Sequence, residues 1–197
     1  MRKRRIAALL SAGALAAGLS IGLAAAAYAS GPAVPAATWN EIFVPFDNGH
    51  GNTMCVDVPG GTSAPGAQLQ LYHCHGYASD GAPQRWHFSC TSRGSCAVPN
   101  SAYQVSNASN NLCIGFPDGD RFGTAGERLV QESCSSTLGW VPVPQNRNDT
   151  DPLLELEAVG SDSLCMAAAN TFDNNQTPLV ATTCDGFTDA AQILELG

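Results

Sequence analysis

Three stretches organise the chain: Met54-Cys55-Val56-Asp57, Leu112-Cys113-Ile114-Gly115 and Leu164-Cys165-Met166-Ala167. Each is an apolar residue, a cysteine, a second apolar residue and a variable position. After a polar stretch, each is followed by a short run ending in cysteine. These runs are Leu69-Gln70-Leu71-Tyr72-His73-Cys74, Leu129-Val130-Gln131-Glu132-Ser133-Cys134 and Leu179-Val180-Ala181-Thr182-Thr183-Cys184. The two cysteines of a unit stand 19, 21 and 19 residues apart. Upstream of each unit lies a further apolar run: Ile42-Phe43-Val44-Pro45-Phe46, Ala102-Tyr103-Gln104-Val105 or Leu153-Leu154-Glu155-Leu156. Downstream come Gln84-Arg85-Trp86-His87-Phe88, Leu138-Gly139-Trp140-Val141 and Gln192-Ile193-Leu194-Glu195-Leu196. A unit thus holds about four short strands bounded by turn residues. Three such units predict an all-β chain of about twelve strands, in repeats over 39–98, 99–150 and 151–197.

The first thirty residues carry an address. Met1–Arg5 is basic, Ile6–Ala27 is a run of Ala, Leu, Gly and Ile with two Ser, and Ala27-Tyr28-Ala29 has the spacing of a cleavage site. That order reads as a secretory signal peptide over 1–29, followed by a Pro-containing linker over 30–38. An uncleaved anchor is the rival reading. Export makes disulfides the expected state of the eight cysteines. The repeat pairs Cys55 with Cys74, Cys113 with Cys134 and Cys165 with Cys184. Cys90 and Cys96 remain, separated by a Gly-containing turn, and are expected to close a hairpin. Metal binding through Cys74 with His73 or His75 is disfavoured, because the other two repeats have the cysteine without the histidines.

Charge narrows the partners. Four of the nine basic residues are Arg2, Lys3, Arg4 and Arg5. Residues 30–197 keep five arginines against 17 acids, a net charge of −12. Nucleic acid and anionic membrane surfaces would repel such a chain. No stretch after residue 30 is apolar for the ~18 residues of a membrane span. Neither a Gly-x-Ser-x-Gly, a His-Glu-x-x-His nor a phosphate loop is present, so a non-enzyme without cofactor or metal is expected. Asp118-Gly119-Asp120 resembles part of a calcium loop, but Arg121 and Phe122 follow it and it reads as a turn. A monomer is expected.

Cys55-Val56-Asp57-Val58, Gly66-Ala67-Gln68-Leu69-Gln70-Leu71-Tyr72, Cys74-His75-Gly76 and Gln84-Arg85-Trp86 together resemble the ricin B-type lectin family. They are most similar to the bacterial modules attached to secreted glycoside hydrolases. The resemblance covers about 39–197 and implies a β-trefoil: a six-stranded barrel capped by three hairpins with pseudo-threefold symmetry. The Gln-x-Trp signature is intact at 84–86 and becomes Leu138-Gly139-Trp140 and Gln192-Ile193-Leu194 in the other repeats.

A neutral sugar presents hydroxyls in a fixed array and patches of C–H. Its site needs a carboxylate or amide for the hydroxyls and an aromatic face for the C–H patch. Residues two apart in a strand face the same way. Asp57 therefore shares a face with Cys55, and Gln70 and Tyr72 share one with Cys74. Taking the bridged cysteines as directly opposite, Asp57 falls opposite Tyr72, with Val56, Val58, Leu69 and Leu71 pointing into a core. The same register sets Gly115 with Glu132 and Ala167 with Thr182, pairs without the acid and ring, so those pockets are expected to be degenerate. The resemblance implies roles: Asp57 accepts from two sugar hydroxyls, Tyr72 stacks, Gln70 edges the site, His75 reaches a hydroxyl, and Gln84 is chiefly structural. Where the family has a sugar-binding Asn, this chain has Pro83, and Asp80 is the candidate substitute. The expectation is a secreted carbohydrate-binding module for a galactose- or xylose-type glycan, acting through the first repeat. The alternative is a trefoil that has lost sugar binding and contacts a protein.

Overall fold

A computed structural model describes residues 39–44, 53–75, 79–91, 101–137, 139–144, 154–160, 163–170, 175–185, 192 and 194–196. The expected signal peptide and linker lie outside them. Among the described residues twelve strands follow one another: β1 Trp39–Val44, β2 Met54–Asp57, β3 Gln70–His73, β4 Arg85–Cys90, β5 Tyr103–Asn107, β6 Cys113–Gly115, β7 Val130–Glu132, β8 Trp140–Pro144, β9 Leu154–Ala158, β10 Leu164–Ala168, β11 Thr177–Thr183 and β12 Glu195–Leu196. Strands β12, β1, β4, β5, β8 and β9 pair edge to edge in that order, all antiparallel. The remaining strands form three hairpins, β2–β3, β6–β7 and β10–β11. Six staves and three capping hairpins, four strands to a repeat, make a β-trefoil.

Alternation in the strands builds the core. Val56, Val58, Leu69 and Leu71 are fully buried, as are Ile114, Leu129, Met166 and Leu179 from the other repeats. Trp86 and Trp140 fill equivalent places, and each also solves a polar problem. Their indole N–H groups donate to the carbonyls of Val56 and Ile114 at 3.0 and 3.1 Å, so neither is left unpaired in an apolar interior. Leu194 takes that place in the third repeat and needs no such partner.

The three hairpins meet around the pseudo-threefold axis in a closed ring of hydrogen bonds. The Leu69 N–H donates to the Leu129 carbonyl, Leu129 to Leu179, and Leu179 back to Leu69, each at 2.9 Å. The Gln68 side-chain amide spans the same three carbonyls at 3.0, 3.0 and 2.8 Å. Each leucine belongs to a different repeat, so the ring forms only when all three hairpins are docked.

Cys55–Cys74, Cys113–Cys134 and Cys165–Cys184 are bridged as the repeat requires, with Cα separations of 5.0, 4.9 and 5.0 Å. Cys90 is also disulfide-bonded, and its expected partner Cys96 lies outside the described residues. The register within the hairpins differs from the expected one. Cys55 pairs with Tyr72, and Asp57 with Gln70. Likewise Cys113 pairs with Glu132 and Gly115 with Val130, while Cys165 pairs with Thr182 and Ala167 with Val180. The bridges thus run diagonally, from one cysteine to a position two beyond its partner. Cys74 lies past the end of β3, its N–H donating to the Thr53 carbonyl at 3.1 Å. The strong twist of a two-stranded ribbon brings one diagonal pair close enough to bridge. The shift is two residues, so every side chain stays on its expected face.

Candidate functional site

The corrected register sets Asp57 beside Gln70, whose Nε2 donates to the Asp57 carboxylate at 2.8 Å. Asp57 ends β2 and is only 7% exposed. Burial raises its carboxyl pKa above the usual range. Hydrogen bonds from Gln70 and Gln84 and the nearby His75 pull the other way, without offsetting it. One carboxylate edge is thus held by the protein, which orients the group before any ligand arrives.

Tyr72, one pleat along from Gln70, stacks its ring on that of His75, with centroids 5.7 Å apart and planes 22° apart. A gap that small is filled by the two rings themselves, so a third body can use only an outer face. The opposite wall carries almost no side chains. Pro59–Gly61 forms a 3-10 turn in which Gly60 and Gly61 have φ of +60° and +62°. A Cβ on Gly61 would stand 3.1 Å from the Pro83 ring. Glycine is needed there both for its backbone and for this approach. Asp57, Gln70, Tyr72, His75 and Pro83 line one open cleft together with that turn. Pro83 contributes a ring edge, and its carbonyl accepts from the Val58 N–H at 3.2 Å.

Gln84 lies beneath the cleft, 1% exposed. Its Oε1 accepts the His75 N–H and its Nε2 donates to the His73 carbonyl, both at 2.8 Å. It clamps the backbone either side of Cys74 and so sets where His75 stands. Gln192 repeats the clamp in the third repeat, on Thr183 and Asp185, at 2.9 and 3.2 Å. The glutamine of the signature therefore keeps its backbone role where the tryptophan has been lost. Of the six residues singled out in the sequence, Asp57, Gln70, Tyr72 and His75 come together at the cleft and Gln84 supports it. The Asp80 side chain lies outside the described residues.

The counterpart in the second repeat is far narrower, lined among others by Gly115, Phe116, Thr137 and Trp140. Gly115 stands where Asp57 does, and a Cβ there would fall 2.5 Å from the Thr137 methyl. Phe116 and Trp140 lie with ring centroids 6.1 Å apart in the same place. Pro117–Gly119 is a 3-10 turn matching Pro59–Gly61, with Asp118 at φ +58°, so Asp118-Gly119-Asp120 is turn structure, as expected. In the third repeat Ala167 replaces the acid. The sequence reading missed Gln176, which lines the first-repeat cleft from the third repeat. Its signal was a comparison of the repeats three residues before Leu69, Leu129 and Leu179.

Residues 46–132, most of the first two repeats, match the family described as "Ricin-type beta-trefoil lectin domain-like". Over that stretch the chain resembles the ricin B-type β-trefoil lectin family. The chain matches solved structures along most of its length. A ricin B-like lectin of Macrolepiota procera, solved in complex with lactose, is 15% identical, with a TM-score of 0.60 over 83% of this chain and 96% of that one. The Rhizoctonia solani agglutinin is 17% identical, with a TM-score of 0.56 over 83% and 99%. A designed threefold-symmetric protein, ThreeFoil, is 15% identical, with a TM-score of 0.59 over 80% and 96%. At these identities the likeness is one of fold. No curated protein sequence matches the chain. Among the described residues no helix is long and apolar enough to cross a membrane, and no cluster of His, Cys, Asp or Glu could hold a metal ion.

Proposed function

We propose that this protein is a secreted carbohydrate-binding module that takes one neutral galactose- or xylose-type sugar in the first-repeat cleft. The observation that carries this reading is the Asp57 carboxylate, held by Gln70 at 2.8 Å, in an open cleft edged by the Tyr72 and His75 rings. A buried carboxylate already oriented by the protein is a strong acceptor for adjacent hydroxyls. The outer aromatic face suits the C–H patch of a pyranose. The narrow counterpart in the second repeat, without an acid at Gly115, and Ala167 in the third favour a single site. Pro83 offers shape and no hydrogen bond, so affinity rests on Asp57 and the rings. A monosaccharide of about 12 heavy atoms, at roughly 0.3 kcal/mol per atom, binds near the millimolar range.

Titration calorimetry with lactose and xylo-oligosaccharides tests this. Asp57→Ala is expected to abolish binding, and Tyr72→Ala to weaken it at least tenfold. Glu132→Ala and Thr182→Ala should bind as the unaltered protein does. Equal losses across all three repeats would refute the single site. No binding to any glycan on an array would favour a protein partner instead.

A further inference from the structure

Three backbone positions in this fold perform one task. Gly66, Gly126 and Gln176 each lie three residues before the leucine of the axial ring. Each donates its N–H to the neighbouring hairpin: Gly66 to the Gln131 carbonyl, Gly126 to Ala181 and Gln176 to Leu71, at 2.8, 2.7 and 2.8 Å. All three have left-handed backbone, with φ of +80°, +88° and +67°. Glycine suits that conformation because it has no Cβ to clash with the backbone. Two repeats use glycine there. The third uses glutamine, in a conformation that an unbranched L-residue adopts only against a steric cost.

The position of that exception matters. The hairpin that receives Gln176 is β2–β3, the one carrying Asp57, Gln70 and Tyr72. The turn is pinned a second time, the Asn175 Oδ1 accepting the His73 N–H at 3.0 Å. Gln176 lines the cleft, and its side chain is exposed while Asp57 is buried. A sugar whose hydroxyls reach Asp57 sits at the floor. A residue at the rim then meets whatever is joined to that sugar. A primary amide both donates and accepts, which matches a hydroxyl in either role.

We propose that Gln176, supplied by the third repeat, forms a subsite for a second sugar residue, so that the first-repeat site selects an oligosaccharide over a monosaccharide. This rests on the reading of the cleft as a sugar site.

Calorimetry with galactose and lactose, and with xylose and xylobiose, tests the proposal on the unaltered protein, Gln176→Gly and Asp57→Ala. Glycine takes the left-handed backbone freely, so Gln176→Gly keeps the turn and its bond to Leu71, and a thermal midpoint at or above that of the unaltered protein verifies this. The expected result is a disaccharide affinity weakened at least fivefold, with the monosaccharide affinity within twofold. Asp57→Ala should lose both. An unchanged disaccharide affinity in Gln176→Gly would overturn the subsite and leave the cleft reading standing. So would equal losses for both sugars, which would assign Gln176 to the first sugar. Failure of the unaltered protein to bind any of the four would overturn the cleft reading itself.

Discussion

Asp57 ends β2 at the floor of the cleft, and burial raises its carboxyl pKa despite the Gln70 and Gln84 amides and the nearby His75. A carboxyl whose folded pKa exceeds its unfolded one works against folding when ionised. The cost is fully present above the folded pKa and is relieved as pH falls toward the unfolded value, because the native state takes up its proton first. Asp57→Asn keeps the shape and an oxygen for Gln70 while removing the charge. Its thermal midpoint at pH 7 is expected to equal or exceed that of the unaltered protein, with the difference shrinking on acidification. Calorimetric scans at pH 7 and pH 4 check this, and a less stable variant at pH 7 would contradict the buried-charge argument. Sugar affinity should fall as pH drops through the raised Asp57 pKa, since the neutral acid loses acceptor strength. The sequence named Asp57, Gln70 and Tyr72 because strand periodicity puts them on one face, and His75 through the family resemblance. It hid Gln176, because that residue is remote in sequence and reaches the cleft only through docking of the third hairpin on β3.

At the scale of the strand and turn, the second repeat shows how a pocket closes. Thr137 occupies the space that a side chain at Gly115 would need, and its hydroxyl is held by the Cys134 carbonyl at 3.3 Å. Glycine in a strand is ordinarily a weak choice, yet here alanine should overpack the site. Gly115→Ala is expected to destabilise the protein by about 1–3 kcal/mol. Gly115→Ala with Thr137→Ser, which removes the clashing methyl, should recover most of that loss. Urea unfolding of both single variants and the double variant measures the coupling. Additive effects would show that Thr137 is not the obstacle. The strand faces were legible because a one-residue error would have exposed the whole apolar set. The register was not, because a shift of two leaves every face unchanged and only the twist decides which diagonal a disulfide spans.

For the whole molecule, the bridges and the axial ring act on different problems. Each of the three bridges closes a loop of 19 or 21 residues within one repeat, worth about 3 kcal/mol by restricting the unfolded chain. The ring through Leu69, Leu129 and Leu179 joins repeats and exists only in the assembled fold. Removing one bridge, as in Cys165→Ser with Cys184→Ser, should lower the thermal midpoint by roughly 6–12 °C for a domain of this size. Peptide mapping without reductant should find no link between repeats and should join Cys90 to Cys96. A bridge between repeats would overturn this division of labour. The sequence alone determined the all-β plan of about twelve strands, the threefold repeat, the three cysteine pairs within repeats and the shared face of Asp57 and Tyr72. All of these follow from local periodicity and from spacing within one unit. The tertiary structure alone decided that Gln70 orients Asp57, that Thr137 takes the space a side chain at Gly115 would need, and that the third repeat borders the first-repeat cleft. Those depend on strand twist and on the closing of three hairpins about one axis, which bring together residues that no local pattern relates.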